Sequence, residues 1–126
     1  MAGISALLQV ASVLTLTHGE ATGVIRNTAT SAMRVTVELH YATDSAGHIT
    51  LLREVQARLS PRAVTLAPFQ SQTLRIRVTE NVPHGTTLRL LTTFTPDEPP
   101  PDTLNVRGVA AHITIVTRII SRVEQP

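Results

Sequence analysis

The sequence predicts an all-β fold, an immunoglobulin-like β-sandwich of about seven strands. Three observations carry that reading. Apolar and polar residues alternate with a period of two along several stretches. Turn signals recur at roughly the 8–12-residue spacing of sandwich domains. Nineteen threonines, many beside Val, Ile or Leu, give a composition whose β-branched side chains suit a pleated surface. With 126 residues, 42% of them hydrophobic, the chain has the size of one domain, expected to span 1–126 around one core.

The elements follow in order. Leu7 to Leu16 reads as one long or broken strand, and Glu20 to Arg26 as the next, closing on Asn27. Met33, Val35, Val37, Leu39 and Tyr41 alternate with Arg34, Thr36, Glu38 and His40, which describes a half-buried strand. Asp44-Ser45-Ala46-Gly47 is turn chemistry, so Ile49 begins the return arm of a hairpin. Pro61 and Pro68 punctuate the segments ending at Leu59 and Leu66. Leu74, Ile76 and Val78 alternate with Thr73, Arg75, Arg77 and Thr79. Pro83-His84-Gly85 turns the chain into a run from Leu88 to Phe94. Thr95 to Asp102, with four prolines and three acids, is an exposed loop. The last run, Val109 to Val123, is apolar on both faces. Ala111, Ile113, Ile115, Thr117 and Ile119 share one side, and His112, Thr114, Val116, Arg118, Ile120 and Arg122 the other.

Composition excludes several kinds of chemistry. There is no cysteine, hence no disulfide framework, thiol nucleophile or Cys-based zinc site. No nucleophile elbow, paired-histidine zinc helix, phosphate loop or dinucleotide fingerprint occurs, so no enzymatic function and no cofactor are expected. All eleven basic residues are arginine, against nine acids, for a net charge of +2. That excess is too small for electrostatically dominated nucleic-acid binding. Met1 to Leu16 lacks a basic leading segment and is interrupted by Ser5, Gln9, Ser12 and Thr15, so it reads as neither a signal peptide nor a membrane span.

Three clusters are candidates for a site. His40, Asp44 and His48 surround one hairpin and have metal-ligand chemistry, although side chains around a turn need not converge, and a solvated hairpin tip is the expectation. Arg34, Arg75, Arg77 and Arg89 face away from the apolar positions and form a basic stripe if their strands are neighbours. The final run is the most informative: a strand apolar on both faces is either covered within the sandwich or lies against a partner. At a sheet edge it would pair with another polypeptide by β-augmentation.

In order and spacing the chain resembles the N-terminal immunoglobulin-like domain of periplasmic pilus-assembly (PapD-like) chaperones. The resemblance rests on Val10 to Asn27, on Met33 to Tyr41, and above all on Leu59-Ser60-Pro61 through Leu66-Ala67-Pro68 into Gln72-Thr73-Leu74-Arg75-Ile76. Leu88 to Phe94 followed by Pro99-Pro100, and Ala111 to Arg122, complete it. The resemblance implies a non-enzymatic periplasmic module that lends its last strand (109–123) to a strand-deficient pilus subunit. Ala111, Ile113 and Ile115 fall where the family's alternating apolar side chains enter the subunit's groove. The family grips the subunit's terminal carboxylate with an arginine on the first strand and a lysine on the last. Here no arginine precedes Arg26, and the lysine position falls on Ile120, flanked by Arg118 and Arg122, whose guanidinium groups suit a carboxylate. A second reading stays open beside it: an assembly module that self-associates through an edge strand, Leu7 to Leu16 or the last run, as a coat, shell or filament component.

Overall fold

The computed structural model describes residues 8–10, 13–97, 103–106, 109–112 and 116–125. They form twelve strand segments, with no helix among the described residues. In chain order these are β1 (Leu8–Val10), β2 (Val13–Thr15), β3 (Glu20–Asn27), β4 (Met33–Ser45), β5 (His48–Glu54), β6 (Ala57–Ser60), β7 (Ala63–Leu66), β8 (Ser71–Val78), β9 (Leu88–Pro96), β10 (Thr103–Val106), β11 (Val109–His112) and β12 (Thr117–Glu124). There are more segments than sandwich strands because several strands are broken. The expected strand over Leu7–Leu16 is β1 in one sheet and β2 in the other. The segment around Pro61 is likewise β6 in one sheet and β7 in the other.

One sheet has the order β1-β3-β8-β6. The larger runs β2-β12-β9-β4-β5, with β7 also paired to β4. The inward-facing alternate residues of both layers make one core: Ile25, Leu59, Leu74 and Ile76 from the smaller sheet meet Leu14, Val35, Val37, Leu39, Leu66, Leu88, Leu90, Phe94 and Val123 from the larger. This is the burial that the alternation in the sequence calls for. Tyr41 packs at its margin.

Loop chemistry fixes how the layers join. Ala46 and Gly47, both at positive φ, close β4 onto β5 with a two-residue loop of the type I′ kind, so β4 runs on to Ser45. Asn27, fully buried, donates from Nδ2 to the carbonyls of Ser31 (2.9 Å), Leu66 (3.1 Å) and Ala67 (3.2 Å), while its Oδ1 accepts the Ala29 amide (2.9 Å). One side chain thereby bonds four backbone groups at once, and it binds β3 to the β7–β8 connection.

The expected basic stripe does not assemble. Arg34 and Arg89 stand on β4 and β9 in the larger sheet, whereas Arg75 and Arg77 stand on β8 in the smaller one. The outward alternation was readable, but which strands are neighbours is a property of topology.

Candidate functional site: the open edge of the larger sheet

The long final run divides into β11 and β12, and the two have different partners. β11 pairs antiparallel with β10, Thr103 opposite His112 and Val106 opposite Val109. β12 pairs along its length with β9, from Thr117 opposite Phe94 to Val123 opposite Leu88. On its other side, among the described residues, β12 meets only β2, in parallel, over Arg122–Glu124. The Leu16 amide donates to the Glu124 carbonyl at 2.8 Å and extends this seam. Among the described residues, Thr117 to Ser121 therefore have no strand opposite β9. They present backbone donors and acceptors to whatever lies there.

Side-chain alternation in β12 follows the sequence pattern. Thr117, Ile119, Ser121 and Val123 face the core, and Arg118, Ile120, Arg122 and Glu124 face outward. Ile120 is 40% exposed and Val116, just before the strand, 44%. Arg118 and Arg122 flank Ile120 on the outward face, as the sequence places them, and Arg122 Nη2 lies 3.2 Å from Glu124 Oε1. Behind them the neighbouring strand sets Leu91 opposite Ile120 and Arg89 opposite Arg122. Arg89 is nearly buried and reaches Asp44 Oδ2 with Nη2 at 3.2 Å. The sequence pattern groups Arg89 with Arg34, Arg75 and Arg77; its cross-strand position beside Arg122 becomes visible only in the register. Ala111 lies within β11, while Ile113 and Ile115 fall outside the described residues.

Two of the hairpin trio are engaged in other contacts. His40 Nδ1 is 2.9 Å from the Leu52 carbonyl and its Nε2 3.4 Å from Glu38 Oε1, whereas Asp44 holds Arg89. Among the described residues no group of three His, Cys, Asp or Glu is placed to hold a metal ion.

The opposite edge of the same sheet is finished differently. The register between β4 and β5 shifts between His40 and Ala42, placing an extra β5 residue, a bulge, in the Leu51–Glu54 stretch. Arg53 stacks over the Tyr41 ring at 4.5 Å and forks onto Glu80, Nη1 to Oε2 at 3.2 Å and Nη2 to Oε1 at 3.1 Å. The Tyr41 hydroxyl donates to Glu80 Oε1. The Arg53 hydrogen bond, then that of Tyr41, holds the Glu80 carboxyl below the usual carboxylate range. Glu80 in turn raises the Tyr41 phenol, with burial adding to the shift. Beside them Arg62 Nη1 reaches Glu54 Oε1 at 2.6 Å.

Neither a family model nor a curated protein matches the chain. Solved structures do match. A chain of the Salmonella enterica SafA pilin–SafB chaperone complex superposes with a TM-score of 0.72 at 15% identity, covering 94% of this chain and 53% of that one. The E. coli chaperone DraB gives 0.60 at 18% identity, covering 94% and 55%. A PapD-like domain of human CEP192 gives 0.53 at 14% identity, covering 100% and 89%. The fold is therefore that of the PapD-like immunoglobulin domains, and the chain spans about half the length of the bacterial chaperone chains it is similar to.

Proposed function

We propose that this chain is a non-enzymatic binding module of the pilus-chaperone kind, which lends its last strand (109–123) to a strand-deficient protein subunit by β-augmentation. The observation that carries the reading is the edge of Thr117–Ser121, which among the described residues has no strand opposite β9, since β2 pairs with Arg122–Glu124. Backbone pairing along that edge supplies affinity, and alternate side chains supply selectivity. In this reading Ala111, Ile113 and Ile115 enter the subunit's apolar groove. Arg118 and Arg122, on one face, grip its terminal carboxylate, a role for which the guanidinium fork suits either of them. Likeness to chaperone domains also supports a periplasmic setting, where such modules meet exported subunits.

Co-expression with a pilin-type subunit lacking its donor segment tests this. The expected result is a one-to-one complex that survives purification and that Ile113→Arg with Ile115→Arg abolishes, while the variant keeps the β circular-dichroism spectrum and thermal transition of the parent. A folded double variant that still binds the subunit as tightly contradicts the reading. The same open edge supports the second reading, pairing with another copy of this chain. Light scattering of the isolated chain separates the two, since self-pairing gives symmetric oligomers without any subunit.

A further inference from the structure

The outward face of the smaller sheet is not used by the edge just described, and its charge is unbalanced. Four arginines stand on it, Arg26 on β3, Arg58 on β6, and Arg75 and Arg77 on β8, all exposed. One acid, Glu20, shares the face, 3.8 Å from Arg77 Nε. The rest of the chain holds seven arginines against eight acids, so a net charge of only +2 conceals a face carrying an excess of three positive charges. Register concentrates three of them, with Arg26 farther along β3 opposite Ser71. Arg58 lies directly opposite Arg77, a like-charge pair that weakens strand pairing, and Arg75 lies between Ser60 and Thr22.

An apolar element stands at the end of this face. Val24, opposite Thr73, is 53% exposed, and Phe69, two residues before β8, is 58% exposed. Phe69 has φ 63°, a left-handed conformation that is costly for a bulky side chain. Its turn is firmly held: the Gln70 amide donates to the Ala67 carbonyl at 3.0 Å, Gln70 Oε1 accepts the Ala67 amide at 2.9 Å, and Asn27 grips Leu66 and Ala67 from below. The Asn27 amide donates to the Gln70 carbonyl, which sets this turn beside Arg26. A rigid scaffold thus presents an aromatic ring to solvent at a position where glycine would be unstrained.

We propose that this face docks on an anionic phospholipid surface, with Arg26, Arg58, Arg75 and Arg77 meeting headgroup phosphates and Phe69 entering the headgroup–acyl boundary. Guanidinium groups bind phosphate as a fork, and each cation near an anionic leaflet adds favourable energy. The four guanidinium groups are spread over three neighbouring strands, β3, β8 and β6, which suits many headgroup phosphates at once better than one small anion. A basic surface with an exposed aromatic at its rim is the combination that an interfacial site requires. The assignment does not rest on the strand-lending reading.

Vesicle sedimentation tests it without any subunit. The chain should pellet with phosphatidylcholine vesicles containing about one-third phosphatidylglycerol, remain in solution with phosphatidylcholine alone, and be released by high salt. Replacing Arg75 and Arg77 together by Gln should lower the partition coefficient about 25-fold, roughly fivefold for each charge. Phe69→Gly should weaken vesicle binding while raising the thermal midpoint by about 2–5 °C, because it removes the left-handed strain. Equal pelleting with neutral and anionic vesicles, or a folded arginine variant that binds as well as the parent, overturns the proposal. Binding that Phe69→Gly leaves unchanged also overturns it, because the ring would then take no part in docking.

Discussion

At one edge of the six-stranded sheet, β5 is bulged, carries Arg53 and Glu54 at its end, and is tied back through Glu80 and Arg62; at the other, β12 pairs with three residues of β2, and among the described residues nothing pairs with the five before them. Almost all of β5 is exposed on both faces, with Ile49 and Leu52 open to solvent, yet its bulge and charges blunt it against stray pairing. β12 has an inward face that is at least half buried and an outward face with Ile120 between two arginines. The difference teaches that exposure of apolar side chains is a poor guide to an interaction edge. What distinguishes β12 is a run of backbone that, among the described residues, has no partner on one side and contains no bulge or proline.

The strongest way to break the comparison is to remove what covers the end of β12. Leu14 is buried in the core from β2, so Leu14→Ala should cost about 3 kcal/mol in urea unfolding, through lost burial and a residual cavity. Leu52→Ala, on the other edge, should change stability by no more than about 0.5 kcal/mol. Equal losses at the two positions would mean that the edges are held alike.

A smaller effect sharpens the contrast from the β5 side. The Glu80 carboxyl is depressed by Arg53 first and Tyr41 second, so its contribution is present above the unfolded glutamate value of about 4.3 and is lost as pH falls through the lower folded value. The Tyr41 phenol is raised, so its share is present below the unfolded value of about 10 and lost as pH rises beyond it. Glu80→Gln should therefore lower the melting temperature at neutral pH and flatten its decline below about pH 4. A variant with the parent's acid slope would show that the Arg53–Glu80–Tyr41 contact does not hold this edge.

Much of the fold was legible in the sequence. The alternations through Val35, Val37 and Leu39 and through Leu74 and Ile76 became buried core. The outward placement of Arg118, Ile120 and Arg122 also followed from a period of two. What local pattern does not encode is which strand lies beside which. The division of the first strand between two sheets depends on distant partners, β3 for Leu8–Val10 and β12 for Val13–Thr15. For the same reason four arginines read as one stripe proved to belong to two sheets, and Arg89 came to rest opposite Arg122. The clamp through Glu80 was equally hidden, since it joins residues 39 positions apart. A bulky residue at Phe69 gave no sign in composition that its backbone is left-handed.

Residue-resolved amide hydrogen exchange on the dilute, isolated chain tests the open edge most directly. Alternate amides from Thr117 to Ser121, those turned away from β9, should exchange nearly as fast as in an unstructured peptide, while the amides between them, and those of Arg122 to Glu124 engaged with β2 or β9, stay protected. Unbroken protection of both sets along Thr117–Ser121 would contradict the account, because the backbone there would already have its partner.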